Sequence, residues 1–381
     1  MNNRKLNISA GLYVHIPFCE SKCKYCGFYS ESVHNYDPGL LISAVIAEMN
    51  NKVPPDSHFQ TVYIGGGSPS CLPEWQLTRL IREIKTKCPK SEELTVEMNP
   101  RQGTDDLLNL LYDCGINRLS IGAQSFNDNE LRFLGRKHSE SDIRESIQAA
   151  KNAGFNNIGL DLIFAIPYST PQSWEVSLQS AIDMDIRHIS AYALTYEKNT
   201  PLLDEFLKGK VRPLDEETDR AMYETAIDKL EVAGFRQYEI SNFAKPGFEC
   251  KHNLNYWANK PYLGIGPAAG SFWKGNRTIN ISDINKYIDA IKNGLDTTEE
   301  KETSNPVQFA CQTAVLNLRR KAGIDLMEFK NQTGFDAKEL FSQLISEYKK
   351  SGMIEESAGR IFLTRNALPV ADSVLCDFSD I

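Results

Sequence analysis

Three cysteines stand close together in the stretch "HIPFCESKCKYCGFYS", residues 15–30. Cys19, Cys23 and Cys26 are separated by three residues and then by two. Structural zinc usually takes four Cys or His ligands, and although His15 could supply the fourth, no second ligand pair stands nearby at a useful spacing. A redox pair at Cys23 and Cys26 would leave Cys19 without a role. An iron–sulfur cube normally takes four thiolates, so three would leave one iron free to bind a substrate or cofactor.

The composition is that of a globular protein, since 381 residues, 41% of them hydrophobic, can bury a large core and build more than one domain. A net charge of -8 gives no broad reason to bind nucleic acid, so we expect no such partner. The nine cysteines are an odd number, which argues against a disulfide framework. No run approaches the roughly 18 apolar residues of a membrane span, and the start lacks a signal peptide. We therefore expect a cytoplasmic protein that is not an integral membrane protein.

Short β-rich runs alternate with helical patterns over residues 12–234, which is typical of a parallel sheet covered by helices. Six such units fit in about two hundred residues, whereas a closed eight-fold barrel typically needs ~250. We therefore predict an α/β fold with a partial, open (β/α)6 barrel, and a doubly wound sheet is the alternative. The predicted strands are residues 12–16, 61–65, 94–98, 118–123, 158–164 and 188–194, and the predicted helices are 38–50, 73–87, 104–115, 139–154, 171–184 and 215–234.

Three domains are predicted along the chain: a barrel core over residues 8–235, a connecting segment over 236–300 and a C-terminal unit over 301–381. The connecting segment is rich in Gly, Asn and aromatic residues. Its "GIGPAAG" (264–270) does not match a dinucleotide-binding loop, because the third glycine is misplaced and Pro267 interrupts it. The C-terminal unit combines helices with a short hairpin, and we expect it to resemble a winged helix.

The cysteine spacing after the first strand resembles the signature of the radical S-adenosylmethionine (SAM) enzymes. The resemblance implies that Cys19, Cys23 and Cys26 hold a [4Fe-4S] cluster, and that the amino and carboxylate groups of SAM chelate the open iron. In that family one electron from the cluster cleaves the sulfonium and yields a 5'-deoxyadenosyl radical, which abstracts hydrogen. An electron donor is therefore an expected partner.

Polar and glycine residues follow the predicted strands at the ends where a barrel of parallel strands carries its site. "YIGGGSPS" ends the second strand, and glycines there let the backbone approach a ligand closely. An acidic residue inside the apolar strand "GLDLIF" needs a partner or a ligand. The resemblance to oxygen-independent coproporphyrinogen III oxidases implies the following SAM-contacting residues: Tyr13, Gly66, Gly67, Ser68, Glu97, Gln124, Arg136, Asp161 and Ala193.

The stretch "KHNLNYWANK" (251–260) contains the pattern H-N-x-x-Y-W. It resembles the heme-binding motif of HemW, the heme-chaperone branch of the oxidase-like family. An imidazole can ligate heme iron, and aromatic faces can pack on a porphyrin. The same residues could instead be core packing around a hydrogen-bonded histidine. The resemblance implies these heme-binding residues: His252, Asn253, Tyr256 and Trp257.

Two features separate this chain from the decarboxylating oxidases, which resemble C-x-x-x-C-x-x-C-x-C and carry a longer N-terminal segment. Phe28 stands where their fourth cysteine is expected, and only eighteen residues precede Cys19. Gly27 and Gly270 depart from the chaperone pattern, which commonly has C-D-F and G-P-S-A-H-S-F. We expect a radical SAM heme chaperone that binds heme and delivers it to an acceptor protein, and a homodimer is left open. The alternatives are decarboxylation of coproporphyrinogen III and, as another class, a DNA-binding winged-helix protein.

Overall fold

The computed structural model describes residues 10–54 and 58–379 of the chain, so residues 8 and 9 of the predicted core and the last two residues lie outside it. The strands are β1 Ala10–Ile16, β2 Phe18–Cys19, β3 Glu31–Ser32, β4 Phe59–Gly66, β5 Glu93–Met98, β6 Arg118–Gln124, β7 Ile158–Phe164, β8 His188–Ala193, β9 Arg236–Glu239, β10 Asn242–Ala244, β11 Tyr262–Ile265, β12 Gly270–Trp273, β13 Asn276–Asn280, β14 Thr298–Glu302, β15 Ile324–Asp325, β16 Ile354–Ser357 and β17 Arg360–Leu363.

Helices lie between the strands, and six of them follow the predicted segments closely. The helices are α1 Pro38–Lys52, α2 Glu74–Lys87, α3 Asp105–Asp113, α4 Asp128–Leu134, α5 Glu140–Asn152, α6 Pro171–Asp183, α7 Pro201–Leu207, α8 Glu216–Val232, α9 Lys251–Trp257, α10 Ile284–Lys292, α11 Pro306–Leu318, α12 Leu326–Thr333, α13 Ala337–Leu340, α14 Ser342–Lys350 and α15 Ala371–Asp377. No helix of the described residues has the length and apolar character to cross a membrane.

The six predicted strands lie side by side in one parallel sheet, in the order β1-β4-β5-β6-β7-β8. Each is joined to the next by at least one helix, so the βα prediction is confirmed. Parallel strands joined in this way place all their carboxyl ends at one edge. The cysteine loop, residues 17–30, follows β1 at this edge. The glycine loop, residues 65–68, lies at the end of β4 beside it.

Side chains alternate along these strands between two different environments. One face is apolar and buried beneath the helices, and Leu12, Val14 and Ile16 of β1 have no exposed surface. The other face carries polar residues such as Tyr13 and His15. Parallel strands covered on both faces usually read as continuous apolar runs. The polar residues of this inner face are therefore candidates for a site inside the barrel.

Residues 236–300, predicted as a connecting segment, contribute to six further strands at the two edges of the same sheet, the last of which ends at Glu302. β9 and β10 join it beside β8, while β11 pairs parallel to β1 and is followed by β12, β13 and β14. The segment thus widens the barrel wall as well as connecting the chain. The domain boundaries themselves stay predictions.

The C-terminal unit packs five helices, α11 to α15, with a small sheet of order β15-β17-β16. β16 and β17 form an antiparallel hairpin over residues 354–363. Helices followed by such a hairpin match the predicted winged-helix appearance.

Candidate functional site at the carboxyl end of the barrel

The cysteine loop begins directly after β1 and is held in place by backbone hydrogen bonds. Its first residues form β2, which pairs with β3, and Lys24 N donates to Leu134 O at 3.1 Å. All three cysteines are free and half-buried. Burial raises the pKa of the Cys19 thiol to about 11 and also raises the pKa of Cys26. Burial therefore favours the protonated thiols of Cys19 and Cys26, and binding of a cation such as iron would favour their thiolates.

The cysteines are not arranged around a single ion. Within residues 10–54 and 58–379, no three His, Cys, Asp or Glu side chains converge as one metal ion would require. A cubane cluster makes a different demand, because each thiolate binds its own iron.

Arg136 lies directly beside the cysteine loop. Its Nη1 donates to Cys23 Sγ at 3.4 Å, and its Nη2 donates to Gly122 O at 2.6 Å and to the Asn99 side chain. Its Nε is buried and has no hydrogen-bond partner among the described residues. A fixed guanidinium with a spare donor suits a carboxylate ligand such as that of SAM.

The glycine loop after β4 packs tightly against the strand that leads into the cysteine loop. A Cβ on Gly67 would lie 2.4 Å from the carbonyl oxygen of Phe18, and a Cβ on Gly66 would lie 2.6 Å from the His15 ring. Gly67 N donates to Ile16 O at 2.9 Å, and Ser68 N donates to Phe18 O at 2.7 Å. Contacts inside the chain therefore require glycine at positions 66 and 67. The sequence analysis explained these glycines by close approach of a ligand, and that approach stays a prediction.

Ser68 is buried, and its hydroxyl donates to Gln102 Oε1 at 2.5 Å. Ser70 donates to the same oxygen at 2.7 Å. These bonds fix the end of the glycine loop. Contact between Ser68 and SAM remains a prediction.

Glu97 at the end of β5 faces the barrel interior. Tyr63 OH donates to its Oε1 at 2.7 Å, and Gly66 N donates to its Oε2 at 3.0 Å. Burial raises the pKa of Glu97 to about 7, and these two hydrogen bonds partly oppose that rise. Glu97 is therefore a carboxylate poised to take up a cationic or hydroxyl-bearing ligand near neutral pH.

Asp161 of β7 also faces the interior, where Ser120 Oγ donates to its Oδ2 at 3.4 Å. Burial raises its pKa, and hydrogen bonds from Ser190 and Ser120 partly offset the effect. The expected need for a partner inside an apolar strand is thus met by hydroxyl groups. Tyr13, on β1, has its hydroxyl 2.8 Å from His15 Nδ1.

The two remaining predicted SAM contacts lie at strand ends. Gln124 closes β6 with a left-handed backbone, φ 69°, beside an irregularity in its pairing with β7. Such a conformation costs about 1–3 kcal/mol in a residue other than glycine and clusters at functional sites. Ala193 is exposed at the end of β8, and the neighbouring Tyr192 is 41% exposed although its strand lies inside the sheet. The interior is therefore open at this end.

The H-N-x-x-Y-W motif forms α9 at the opposite, amino end of the strands. Lys251 N and His252 N each donate to the carboxylate of Glu93 at 3.0 Å, and Glu93 is the first residue of β5. A Cβ on Gly11, near the start of β1, would lie 3.0 Å from the His252 ring. The helix thus closes the floor of the barrel, and the cysteine loop lies at its mouth.

His252 is 1% exposed, and both of its ring nitrogens are engaged. Nδ1 is 2.8 Å from Thr61 Oγ1, and Nε2 is 2.9 Å from Tyr256 OH. Burial lowers its pKa to about 3, and the nearby Arg118 contributes to the same shift. In this arrangement the imidazole has no nitrogen free for a heme iron.

The other motif residues line the same helix. Asn253 and Trp257 are half-buried, and the guanidinium of Arg319 lies 4.7 Å from the Trp257 ring centre. That contact joins α9 to the end of α11, the first helix of the C-terminal unit.

The chain is similar to known proteins over nearly its whole length. Residues 13–181 match the model of the radical SAM superfamily, and residues 310–370 match that of the HemN C-terminal domain. Heme chaperone HemW of Bacillus subtilis is 35% identical, over 96% of this chain and 98% of its own length. That of Lactococcus lactis is 33% identical, over 96% of each chain. The chain belongs to the HemW family of radical SAM proteins.

A solved structure supports the fold of this HemW family member. The radical SAM enzyme HemN, coproporphyrinogen III oxidase from Escherichia coli, superposes on this chain with a TM-score of 0.85. The match covers 99% of this chain and 92% of the HemN chain. Its sequence identity is 20%, so this likeness shows the fold alone. Membership of the radical SAM superfamily implies a [4Fe-4S] cluster and SAM, which the cysteine loop, Arg136 and Glu97 fit.

Gly270 and Gly27, which depart from the pattern of the heme chaperones, lie in different surroundings. Gly270 opens β12, and a Cβ placed on it meets no atom within 4 Å. The first side-chain atom of the histidine usual in this branch would therefore meet no neighbour here. At Gly27, by contrast, a Cβ would lie 3.0 Å from the side chain of Glu197.

Sequence reasoning missed the residues that link the two ends of the barrel. Tyr63, Thr61 and Glu93 were not singled out, nor was the buried Arg118. The available signal was their spacing, because polar residues recur at every second position in "TVYIG" and "ELTVEM".

Proposed function

We propose that this HemW family member binds heme and delivers it to an acceptor protein, with a [4Fe-4S] cluster on Cys19, Cys23 and Cys26 and with SAM at the mouth of the barrel. The observation that carries the proposal is near full-length similarity to proteins named heme chaperones, together with an intact H-N-x-x-Y-W motif. Phe28, in place of a fourth cysteine, separates the chain from the decarboxylating pattern. A reductant and a heme acceptor are the partners that this function requires, and we place the protein in the cytoplasm.

The proposed SAM site comprises residues on the inner face and at the carboxyl ends of the strands, together with Arg136 beside the cysteine loop. Arg136 supplies a guanidinium for the carboxylate of the ligand, and Glu97 supplies a carboxylate for its amine or ribose hydroxyls. Bound SAM would supply a radical precursor next to the cluster. The remaining proposed contacts are Tyr13, Gly66, Gly67, Ser68, Gln124, Asp161 and Ala193.

Heme is the proposed cargo, and His252 is its proposed iron ligand beside Asn253, Tyr256 and Trp257. Ligation requires His252 to exchange its bond to Thr61 or Tyr256 for the iron, with α9 moving from the barrel floor. Loss of one or two neutral hydrogen bonds costs about 1 kcal/mol each. An iron–imidazole bond and burial of a porphyrin can offset a cost of that size.

A heme titration followed by absorbance tests this proposal with a matched pair of histidine variants. His252→Ala should lower heme affinity and change the spectrum of the bound heme, because it removes the proposed ligand. His34→Ala is the control, since His34 is exposed on the surface and lies outside the motif. Circular dichroism and cluster content show whether each variant is folded. Unchanged heme affinity and spectrum in folded His252→Ala would reduce the motif to core packing.

A further inference from the structure

The ring of His252 is held on several sides at the floor of the barrel. Thr61 and Tyr256 bond its two nitrogens, and its ring stacks on that of Tyr63 with centres 5.2 Å apart and planes 27° apart. Gly11 leaves just enough space for the ring, because a Cβ there would approach it to 3.0 Å. The position of the Tyr63 ring is therefore tied to that of His252.

Tyr63 carries this constraint upward to the cofactor end. Its hydroxyl donates to Glu97 Oε1 at 2.7 Å, while Glu97 Oε2 accepts from Gly66 N at 3.0 Å. A Cβ on Gly65 would lie 2.5 Å from the same Oε2, so the carboxylate fits closely against the glycine loop. A shift of the Tyr63 ring would move the hydroxyl that sets the orientation of Glu97.

The helix that carries His252 is itself anchored to β5, the strand of Glu97. The Glu93 carboxylate accepts both Lys251 N and His252 N at 3.0 Å, at the start of α9. Asn255 Nδ2 donates to Pro261 O at 3.1 Å further along the same helix. The histidine is thus set at one end of a rigid chain of contacts that ends at the glycine loop.

We infer that His252 is a positioning residue for the SAM site, which it serves by fixing the Tyr63 ring and hence the orientation of Glu97. The inference rests on the proposed SAM contact of Glu97 and does not require heme to bind. Helix α9, which lies at the amino end of the strands, would thereby influence the SAM site at their carboxyl end. A purely structural role for His252 would change stability and leave the SAM response of the folded protein unaltered.

The test measures the change in the electron paramagnetic resonance spectrum of the reduced cluster as SAM is added, in the anaerobically reconstituted full chain. Tyr63→Phe keeps the stacked ring and removes only the hydroxyl, and it should raise the SAM concentration at half effect about tenfold, as expected for one lost hydrogen bond to a carboxylate. His252→Ala should give a similar increase. The double variant should be little worse than either single variant, because both act through the same bond.

Two further variants distinguish a failure of the proposed SAM contact of Glu97 from a failure of the role inferred for His252. Glu97→Gln reports on the proposed SAM contact directly, and a wild-type midpoint in that variant would remove the basis of the inference along with the proposed SAM site. Lys251→Ala, on the same helix, removes only an exposed side chain paired with Glu92 and keeps the backbone bond to Glu93, so it should keep the wild-type midpoint. A wild-type midpoint in His252→Ala or Tyr63→Phe, with Glu97→Gln impaired, would overturn the inference alone. If His252→Ala does not fold, His252→Gln, which retains hydrogen-bonding groups, replaces it in the same comparison.

Discussion

Replacing Gly67 with alanine should disturb the cysteine loop, although the two loops are far apart in sequence. The new Cβ would lie 2.4 Å from the carbonyl oxygen of Phe18, where ordinary contacts begin at 3.4 Å. The loops must therefore separate by about 1 Å, which strains the bonds from Gly67 N to Ile16 O and from Ser68 N to Phe18 O. At about 1 kcal/mol for each bond, we expect the free energy of unfolding to fall by about 2 kcal/mol.

The same displacement reaches Cys19, the residue after Phe18. Gly67→Ala should thus lower the iron and sulfide content after anaerobic reconstitution as well as the melting temperature. Gly270→Ala is the matched control, because its Cβ meets open space, and it should leave both quantities close to the wild type. Wild-type cluster content and stability in Gly67→Ala would refute the packing argument for the glycine loop.

Three further outcomes are expected. Replacing any one of the three cluster cysteines with alanine should abolish the [4Fe-4S] spectrum, and tightly bound zinc without iron or sulfide in the wild type would contradict the assignment. SAM affinity should rise from about pH 6 to about pH 8, because burial raises the pKa of Glu97 to about 7 and its ionised form binds the ligand; Glu97→Gln should flatten that dependence, and an equal slope in both proteins would contradict it. Burial lowers the pKa of His252 to about 3 from 6.5, so the stability it contributes above pH 6.5 is lost on acidification. In urea unfolding of the cluster-free protein, the advantage of wild type over His252→Gln should therefore shrink by about 2 kcal/mol between about pH 7.5 and about pH 5, and a constant difference would contradict a buried neutral imidazole.

The barrel strands could be predicted because each is a short apolar run bounded by glycine or polar residues. The predicted run 158–164 coincides with β7, and the others differ from their strands by one or two residues at an end. The helices α4, α7, α9 and α10 were not predicted, since none has more than nine residues and so short a stretch shows little periodicity. The pairing of β11 with β1 joins residues some 250 positions apart, which no local pattern indicates.

The candidate site was predictable where residue type alone restricts the chemistry, as for the three cysteines. The position of α9 was not predictable from the sequence. Only the folded chain shows that the backbone amides of Lys251 and His252, at the start of α9, donate to Glu93 at the barrel floor. The reason for Gly67 was also hidden from the sequence, since a ligand and the carbonyl of Phe18 place the same demand on its side chain.

The most direct test of the proposed function presents the two competing substrates to one preparation. Anaerobically reconstituted protein with SAM and a reductant would be given either heme or coproporphyrinogen III, and bound heme, heme transferred to an added apo-hemoprotein, 5'-deoxyadenosine and porphyrin products would be measured. We expect bound heme that passes to the acceptor, with coproporphyrinogen III left unchanged. Conversion of coproporphyrinogen III to decarboxylated product, without heme binding, would contradict the heme-chaperone assignment and support the oxidase alternative.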